Sequence, residues 1–327
     1  MSEPIVSVVI ATRNRAAMLK EAIASVGAQT YQDWELIVVD DGSTDQTKRV
    51  AQQAAKDDPR VHYLRQPARG GVSKARNAGI HAARGRYIAF LDDDDQFVAE
   101  KLATQVVHLD RSPEVGFVYA QSEWVDRRGT SLGVQPTAPV TDLKGLVEHC
   151  AIPLQTVMCR RELIERVGGF DERLSIGEDY DLWLRLARIT RFEFVARPLV
   201  RYGVHGANTC NDSIRLYEQR AIILARVPLD RARGITWWFK RRRLAINAYR
   251  LARLHHEARA FAQASAHFAR AVVYDPMVGL AMAEPRPRGL ARLWVSLKPY
   301  LAIVLLLIGV SPQARKVARS PDWGLTP

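Results

Sequence analysis

Cysteine is nearly absent from this chain: three of 327 residues, Cys150, Cys159 and Cys210. Their number is odd and their spacing matches no metal-ligand pattern, so neither a disulfide framework nor a cysteine-held metal is expected, and a reduced cytoplasmic protein is. A secretory signal is not expected either, because Met1-Ser2-Glu3-Pro4 leads straight into an apolar, strand-like segment. Nor is a full membrane span expected. The uncharged run at 300–310 has eleven residues, short of the roughly 20 needed to cross a bilayer. Lys298 precedes it and Arg315, Lys316 and Arg319 follow it. Extension back to Leu290 lengthens the run but brings in Arg292 and Lys298, so three readings stay open: a span, a segment lying in or on one leaflet, which is the one expected, and a buried core helix.

What is present in quantity is positive charge, and it is unevenly placed. Residues 1–210 hold 27 Lys and Arg against 28 Asp and Glu, whereas 211–327 hold 20 against 7, a local excess of +13. Such asymmetry points to an anionic partner for the last third, membrane lipid or nucleic acid. The stretch Thr236-Trp237-Trp238-Phe239-Lys240-Arg241-Arg242-Arg243 joins aromatics to cations, a pattern that suits a lipid interface, a nucleic-acid surface or a solvated helix face. The apolar run at 300–310 favours the membrane, since a nucleic-acid binder has no need of it. The expected location is the inner face of the cell membrane, peripheral or monotopic, with no nucleic-acid partner.

Hydrophobic periodicity divides the chain. Strands are expected at 5–11, 35–40, 61–64, 87–91 and 115–119, alternating with helical patterns at 15–29, 44–56, 72–83 and 100–109. That alternation predicts an α/β fold, a mostly parallel sheet with helices on both faces. Residues 120–210 are more mixed, with a short helix near 143–150, a strand at 156–159 and a helix at 179–189. From about 214 the pattern is helical, at 214–226, 237–253 and 257–274, and the pair 244–254 and 258–274 resembles a single tetratricopeptide-like hairpin. The expected organisation is a catalytic domain over 1–212, a helical extension over 213–284 and a membrane-associating tail over 285–327.

Four consecutive aspartates, Asp92 to Asp95, follow the apolar run Tyr87-Ile88-Ala89-Phe90-Leu91. Like charges in sequence repel, so a fold retains them where something positive shares the charge. Carboxylates at a strand end face the crevice where open α/β sheets bind ligands, and oxygen-only ligands suit Mg²⁺ or Mn²⁺. A solvated acidic turn capping the next helix is the competing reading. Strand two ends likewise, in Asp40-Asp41-Gly42, followed by Ser43 or Thr44 as a helix cap, while strand one ends in Thr12-Arg13-Asn14-Arg15. Gly70-Gly71 opens a helix that carries Lys74 and Arg76, and helix N-termini with cations favour phosphate.

Six elements in order carry a resemblance: Asp40-Asp41-Gly42-Ser43-Thr44-Asp45, Ala75-Arg76-Asn77-Ala78-Gly79, Leu91-Asp92-Asp93-Asp94-Asp95, Gly168-Gly169-Phe170-Asp171-Glu172, Gly177-Glu178-Asp179-Tyr180-Asp181-Leu182-Trp183-Leu184-Arg185, and Tyr202-Gly203-Val204-His205-Gly206-Ala207-Asn208. Together, over residues 4–210, they resemble inverting glycosyltransferase family 2. The resemblance implies a Rossmann-like GT-A fold and transfer from a nucleoside-diphosphate sugar, with a UDP-sugar expected, to a saccharide or lipid-linked saccharide in cell-surface polysaccharide synthesis. It implies that Thr12, Arg13, Asp40, Asp41, Arg76, Asp92 and Asp93 form the nucleotide site. Asp94, with His205, would hold Mg²⁺ or Mn²⁺ on the diphosphate. Inversion needs a base on the acceptor side, and by position that base is Asp179, with Glu178 beside it. The acidic run departs from the family pattern, which often has a small residue second. A binding module for nucleic acid or protein on a degenerate transferase scaffold is the alternative, and nothing resembles the glycine-rich loop of a nucleotidyltransferase.

Overall fold

The computed structural model describes residues 3–135, 139–149, 152–206, 212–276 and 278. The chain divides into two compact units, Met1–Asn208 and Thr209–Pro327. The expected tail at 285–327, together with Cys150, Cys210 and Asn208, lies outside the described residues.

In the first unit, strands β1 (Val6–Thr12), β2 (Trp34–Asp40), β3 (Val61–Arg65) and β4 (Tyr87–Asp92) pair in parallel in the order β3-β2-β1-β4. Every residue of β2 is buried, as befits an apolar run covered on both faces of a parallel sheet. Helix α1 (Ala16–Gly27) and helix α4 (Lys101–Arg111) pack Leu19, Ala22, Val26, Leu102, Val106 and Leu109 against Val8, Ile10, Leu36, Val38 and Ala89. Helix α2 (Thr47–Asp57) follows β2. Helix α3 (Val72–Ala82) lies close against the sheet because Gly79 has no side chain; a Cβ there would stand 2.4 Å from Val9 Cγ1.

Beyond β4 the sheet is mixed. Strand β8 (Val157–Arg160) runs antiparallel to both β4 and β6 (Val115–Val125). Strand β9 (Arg191–Gly203) lies parallel to β6, short β5 (Gln96–Phe97) pairs antiparallel with β9, and β7 (Ser131–Val134) pairs with β6. Periodicity does not foretell β5, β7 or β9. Helices α5 (Leu143–Glu148), α6 (Arg161–Arg166) and α7 (Glu178–Leu186) cover this half, with Trp183 of α7 fully buried and stacked on Phe117 at 5.7 Å.

The helix after strand two corrects one expectation. Neither Ser43 nor Thr44 caps it, because α2 begins only at Thr47. Asp45 Oδ1 accepts from Thr47 N instead, at 2.9 Å. Ser43 Oγ accepts from Asn14 N, and Asn14 Oδ1 accepts from Thr44 N. The polar residues after Gly42 therefore tie strand one to strand two at the sheet's C-terminal edge.

The described residues of the second unit form three helices, α8 (Ser213–Arg226), α9 (Trp237–Glu257) and α10 (Phe261–Tyr274), with a turn between α8 and α9. Ala245 and Ala248 of α9 pack with Ala271 of α10, and Tyr249 meets Phe268 edge to face at 5.5 Å. Helix α9 extends past the expected 253 to Glu257, and the chain turns through Arg259 at φ +59°. Among the described residues, no helix is long and apolar enough to cross a membrane.

Candidate active site

Parallel register brings the ends of three strands together: Thr12 lies beside Asp40 on β2, and Ala11 beside Asp92 on β4. Four carboxylates in sequence then leave β4 in a tight turn, with Asp95 N bonded to Asp92 O. Their partners differ, although Asp93 and Asp94 share Arg15. Asp92 Oδ1 accepts from Arg76 Nη2 at 2.7 Å. Asp93 Oδ2 accepts from Thr12 Oγ1 at 2.6 Å, and its Oδ1 from Arg15 Nη1 at 3.1 Å. Asp94 Oδ2 meets both the Arg15 guanidinium and, at 3.0 Å, His205 Nε2. Asp95 Oδ1 accepts from Gly203 N at 2.8 Å, while its buried Oδ2 has no hydrogen-bond partner.

Burial and crowding raise the proton affinity of Asp92, Asp93 and Asp95. Burial pushes the Asp93 carboxyl up to about 6, with Asp94 and Asp92 adding to the rise against the Thr12 hydroxyl and Arg15. Asp95 is raised well above the ordinary aspartate value, by burial first and then by Asp92 and Asp94. Asp92 is raised by burial, although Arg76 opposes it. An edge that strains this hard to hold negative charge is suited to a further cation.

Arg76 joins the two halves of the site. Only 6% exposed, its guanidinium holds Asp92 at the end of β4 and Glu178 at the start of α7. The adjacent Asp179, also in the first turn of α7, is pushed up to about 7, by burial first and then by the charge of Glu178, against Arg76 and the Tyr180 N–H. Gly177 precedes the helix at φ +75°, so neither acid serves as its N-cap. Asn77, one residue beyond Arg76, clamps the Gly169-Phe170 turn through Phe170 N and Phe170 O, and Arg185 holds Val167 O and Gly169 O. The motif residues thus fix the α7 start against α3.

The site residues expected from sequence sort into groups. Thr12, Asp93, Asp94 and His205 are tied together through Arg15, and Asp92 and Glu178 through Arg76, with Asp179 next to Glu178. Asp41 is buried and accepts from Gly70 N at 2.6 Å and Gly71 N at 3.0 Å, so it anchors the glycine turn ahead of α3. Asp40, fully buried, spends its oxygens on Ser43 N and the Tyr63 hydroxyl, both at 2.8 Å. Arg13 is exposed, and it is Arg15 that reaches the acidic run. Asn14 takes φ +54° between them, a turn of the chain consistent with the tolerance of asparagine for the left-handed region. Asp95 and Gly203 lie in elements singled out from the sequence, but the hydrogen bond that joins them carries no signal there.

Among the described residues no cluster of three or more His, Cys, Asp or Glu converges as a metal cage. Asp94 and His205, 3.0 Å apart, offer one oxygen and one nitrogen; Asp95, whose buried Oδ2 is unpartnered, does not join them as a third ligand. That donor set fits a divalent ion that takes its remaining ligands from phosphate, as Mg²⁺ and Mn²⁺ do at diphosphates.

The model of glycosyl transferase family 2 matches residues 7–167. A curated relative from Rickettsia prowazekii (strain Madrid E), an uncharacterized glycosyltransferase, is 31% identical over 228 residues, which cover 66% of this chain and 69% of the relative. The S. aureus TarS fragment 1–349, solved in complex with UDP-GlcNAc, matches with a TM-score of 0.65 at 17% identity, covering 93% of this chain and 92% of that one. This chain spans 54% of the longer TarS chain. The mannosyltransferase PcManGT from Pyrobaculum calidifontis, solved with GDP-Man and Mn²⁺, matches with a TM-score of 0.59 at 20% identity, covering 95% and 88%. At such identities the structural likeness establishes the fold, which is the GT-A arrangement. With the sequence matches, it makes this chain a member of glycosyl transferase family 2 and a glycosyltransferase.

Proposed function

We propose that the chain transfers a sugar from a nucleoside-diphosphate sugar to a hydroxyl of a saccharide or lipid-linked saccharide, with inversion at the anomeric carbon and with Mg²⁺ or Mn²⁺ on the diphosphate. One observation carries this reading. Asp179, a carboxylate poised near neutrality, adjoins Glu178, whose partner Arg76 also holds Asp92 at the nucleotide edge.

In this reading Asp179 takes the proton from the acceptor hydroxyl as its oxygen attacks the anomeric carbon, a single displacement with the base opposite the leaving group. Glu178 keeps Arg76 in place and, by its charge, raises the Asp179 carboxyl, so Glu178 positions and tunes the base. Asp92 faces the ribose, steered by Arg76, and Thr12 orients Asp93. Asp94 and His205 would hold the metal, which when bound supplies Lewis-acid neutralisation of the departing diphosphate. Arg15 neutralises Asp94 in this structure, a charge-balancing task that a bound cation would share. Asp40 and Asp41 act through the loops they hold.

TarS was solved with UDP-GlcNAc and PcManGT with GDP-Man. A UDP-sugar is the donor proposed here, and the acceptor belongs to a cell-surface polysaccharide. The basic C-terminal third sets the enzyme against the anionic inner face of the membrane. Incubating the protein with a panel of sugar nucleotides, a saccharide acceptor mixture and Mn²⁺ tests the reading. Nucleoside diphosphate should be released from one donor and not in EDTA; release from none, or undiminished release in EDTA, would refute it.

A further inference from the structure

The start of α9 presents a built surface that the transferase reading does not use. Trp237 and Trp238 occupy the first two positions of the helix and are 48% and 72% exposed. Their rings meet edge to face at 4.4 Å, and the Arg241 guanidinium lies 4.5 Å from the Trp237 ring centroid. The platform beneath them is firm. Thr236 caps the helix, its Oγ1 accepting from Phe239 N, and Ile235 is fully buried. Asp230 and Ile235 exchange two backbone hydrogen bonds, at 3.0 and 2.8 Å, across a turn closed by Gly234 at φ +74°. Lys240 Nζ donates to the carbonyls of Ala225 and Val227, which ties the helix to the end of α8. The Asp230–Ile235 bridge sets Leu229, itself 54% exposed, across from Thr236.

Cations surround this apolar tip. Residues 229–243 include Arg231, Arg233, Lys240, Arg241, Arg242 and Arg243 against the single acid Asp230; Arg231, Arg233 and Arg242 are exposed, and Arg233 pairs with Asp230 at 3.1 Å. Exposed tryptophans and leucine cost free energy in water, and a folded protein that supports them on a capped, pinned turn presents them to something. Indole rings beside arginine side chains match the headgroup level of an anionic bilayer, where the rings sit at the apolar boundary and each cation near the surface adds attraction.

Nucleic acid fits less well. Stacking a base needs an open ring face, yet Trp237 has Arg241 over its ring and meets Trp238 at an interplanar angle of 80°. Leu229 offers neither a ring nor a hydrogen bond.

We infer that the Leu229, Trp237 and Trp238 tip, with the exposed Arg231 and Arg242 of the same segment, is an anionic-lipid docking surface. The inference rests on the proposed membrane-facing role of the C-terminal third and names the residues that carry it. Docking places the two indoles in the interface and the guanidinium groups against lipid phosphates, so contact depends on both apolar burial and charge.

The test is co-sedimentation of the full chain with vesicles of phosphatidylcholine alone or mixed with phosphatidylglycerol, at low and high salt, for the native protein and for Trp237→Ser combined with Trp238→Ser. Both tryptophans are exposed, so the variant should melt with the native protein, and a matching melting curve is the control. The native protein should partition onto the anionic vesicles, less so in high salt, and the variant's partition should fall by about tenfold or more. Arg231→Glu combined with Arg242→Glu should weaken binding comparably. Undiminished partition in both variants would overturn this surface and move anchoring elsewhere in the last third. Absence of native binding to anionic vesicles, or capture of single-stranded RNA in preference to them, would overturn it as well. Sugar transfer to a soluble acceptor, measured in the same preparations, should be equal in native and variant proteins. Failure of the transferase reading would show as absent turnover, and failure of this surface as an unchanged pellet.

Discussion

Replacing Asp179 by asparagine should move stability and activity in opposite directions. Asp179 is lifted from the ordinary 3.8 to about 7, so the folded protein binds this proton more tightly than the unfolded chain. Between about pH 4 and 7 the folded state keeps the proton and the unfolded state has lost it. Stability therefore falls as pH rises through that window, and the full penalty stands above pH 7. The whole rise corresponds to an upper bound of about 4 kcal/mol. Asp179 is partly open to solvent and shares its burden with Glu178 and Asp92, so the expected penalty is about 1–3 kcal/mol. Asparagine cannot ionise, and its amide oxygen can still accept from Tyr180 N as Asp179 Oδ1 does. At pH 8 the Asp179→Asn protein should accordingly be the more stable by about 1–3 kcal/mol, with the gap closing towards pH 4, while transfer is lost. Urea unfolding of both proteins across pH 4–8, paired with turnover at pH 8, reads both effects. The native rate should also rise with pH towards a plateau above about 7, where the base is ionised. A variant no more stable at pH 8, or a gap that ignores pH, would refute the account of Asp179 as a carboxylate held near neutrality.

Other expectations follow from single contacts. Arg76→Ala strands Asp92 and Glu178 without their shared cation and should lower stability by about 3–5 kcal/mol in chemical unfolding; a loss below about 1 kcal/mol would mean that water replaces the guanidinium. Gly203→Ala puts a Cβ 2.5 Å from the Asp94 carbonyl oxygen, a backbone clash that no rotamer relieves. It should weaken Mn²⁺ affinity by about tenfold through displacement of Asp94 and His205, read by calorimetry with UDP present. Asp94→Ala should weaken the same Mn²⁺ affinity by at least about tenfold with little change in melting temperature; unaltered affinity would remove Asp94 from the metal site.

Periodicity makes the parallel half of the sheet legible because β1, β2 and β4 are buried on both faces and read as apolar runs, broken only by Ser7 and Glu35, which bond to each other. Strand β9 escapes notice for a physical reason. Its sequence carries Pro198 and several charges, and proline removes a ladder donor; the pairing with β6 absorbs it at register shifts around Gln121. The antiparallel course of β8 has no local signature, since four residues pair equally well in either direction. Within the site, the strand-end acids are readable as a cluster, but the choice between a solvated turn and a ligand site needs partners far along the chain. His205 lies 111 residues from Asp94 and Glu178 lies 102 from Arg76, so only the ordered resemblance links them. Motif position favours Arg13 over Arg15, because strand alternation does not foresee the left-handed turn at Asn14. Asp40 and Asp41 look equivalent as strand-end acids, and only the fold shows one holding Tyr63 and the other the glycine turn.

The central claim is a single displacement in which Asp179 takes the acceptor proton and a metal-held diphosphate leaves. The most direct measurement is the anomeric configuration of the first product, followed by proton NMR in Mg²⁺ with an α-linked donor sugar. The account predicts a β-linked product at the earliest times, formed by the native protein and absent with Asp179→Asn. An α-linked first product, or a β-linked one formed equally fast by the Asp179→Asn variant, would contradict it.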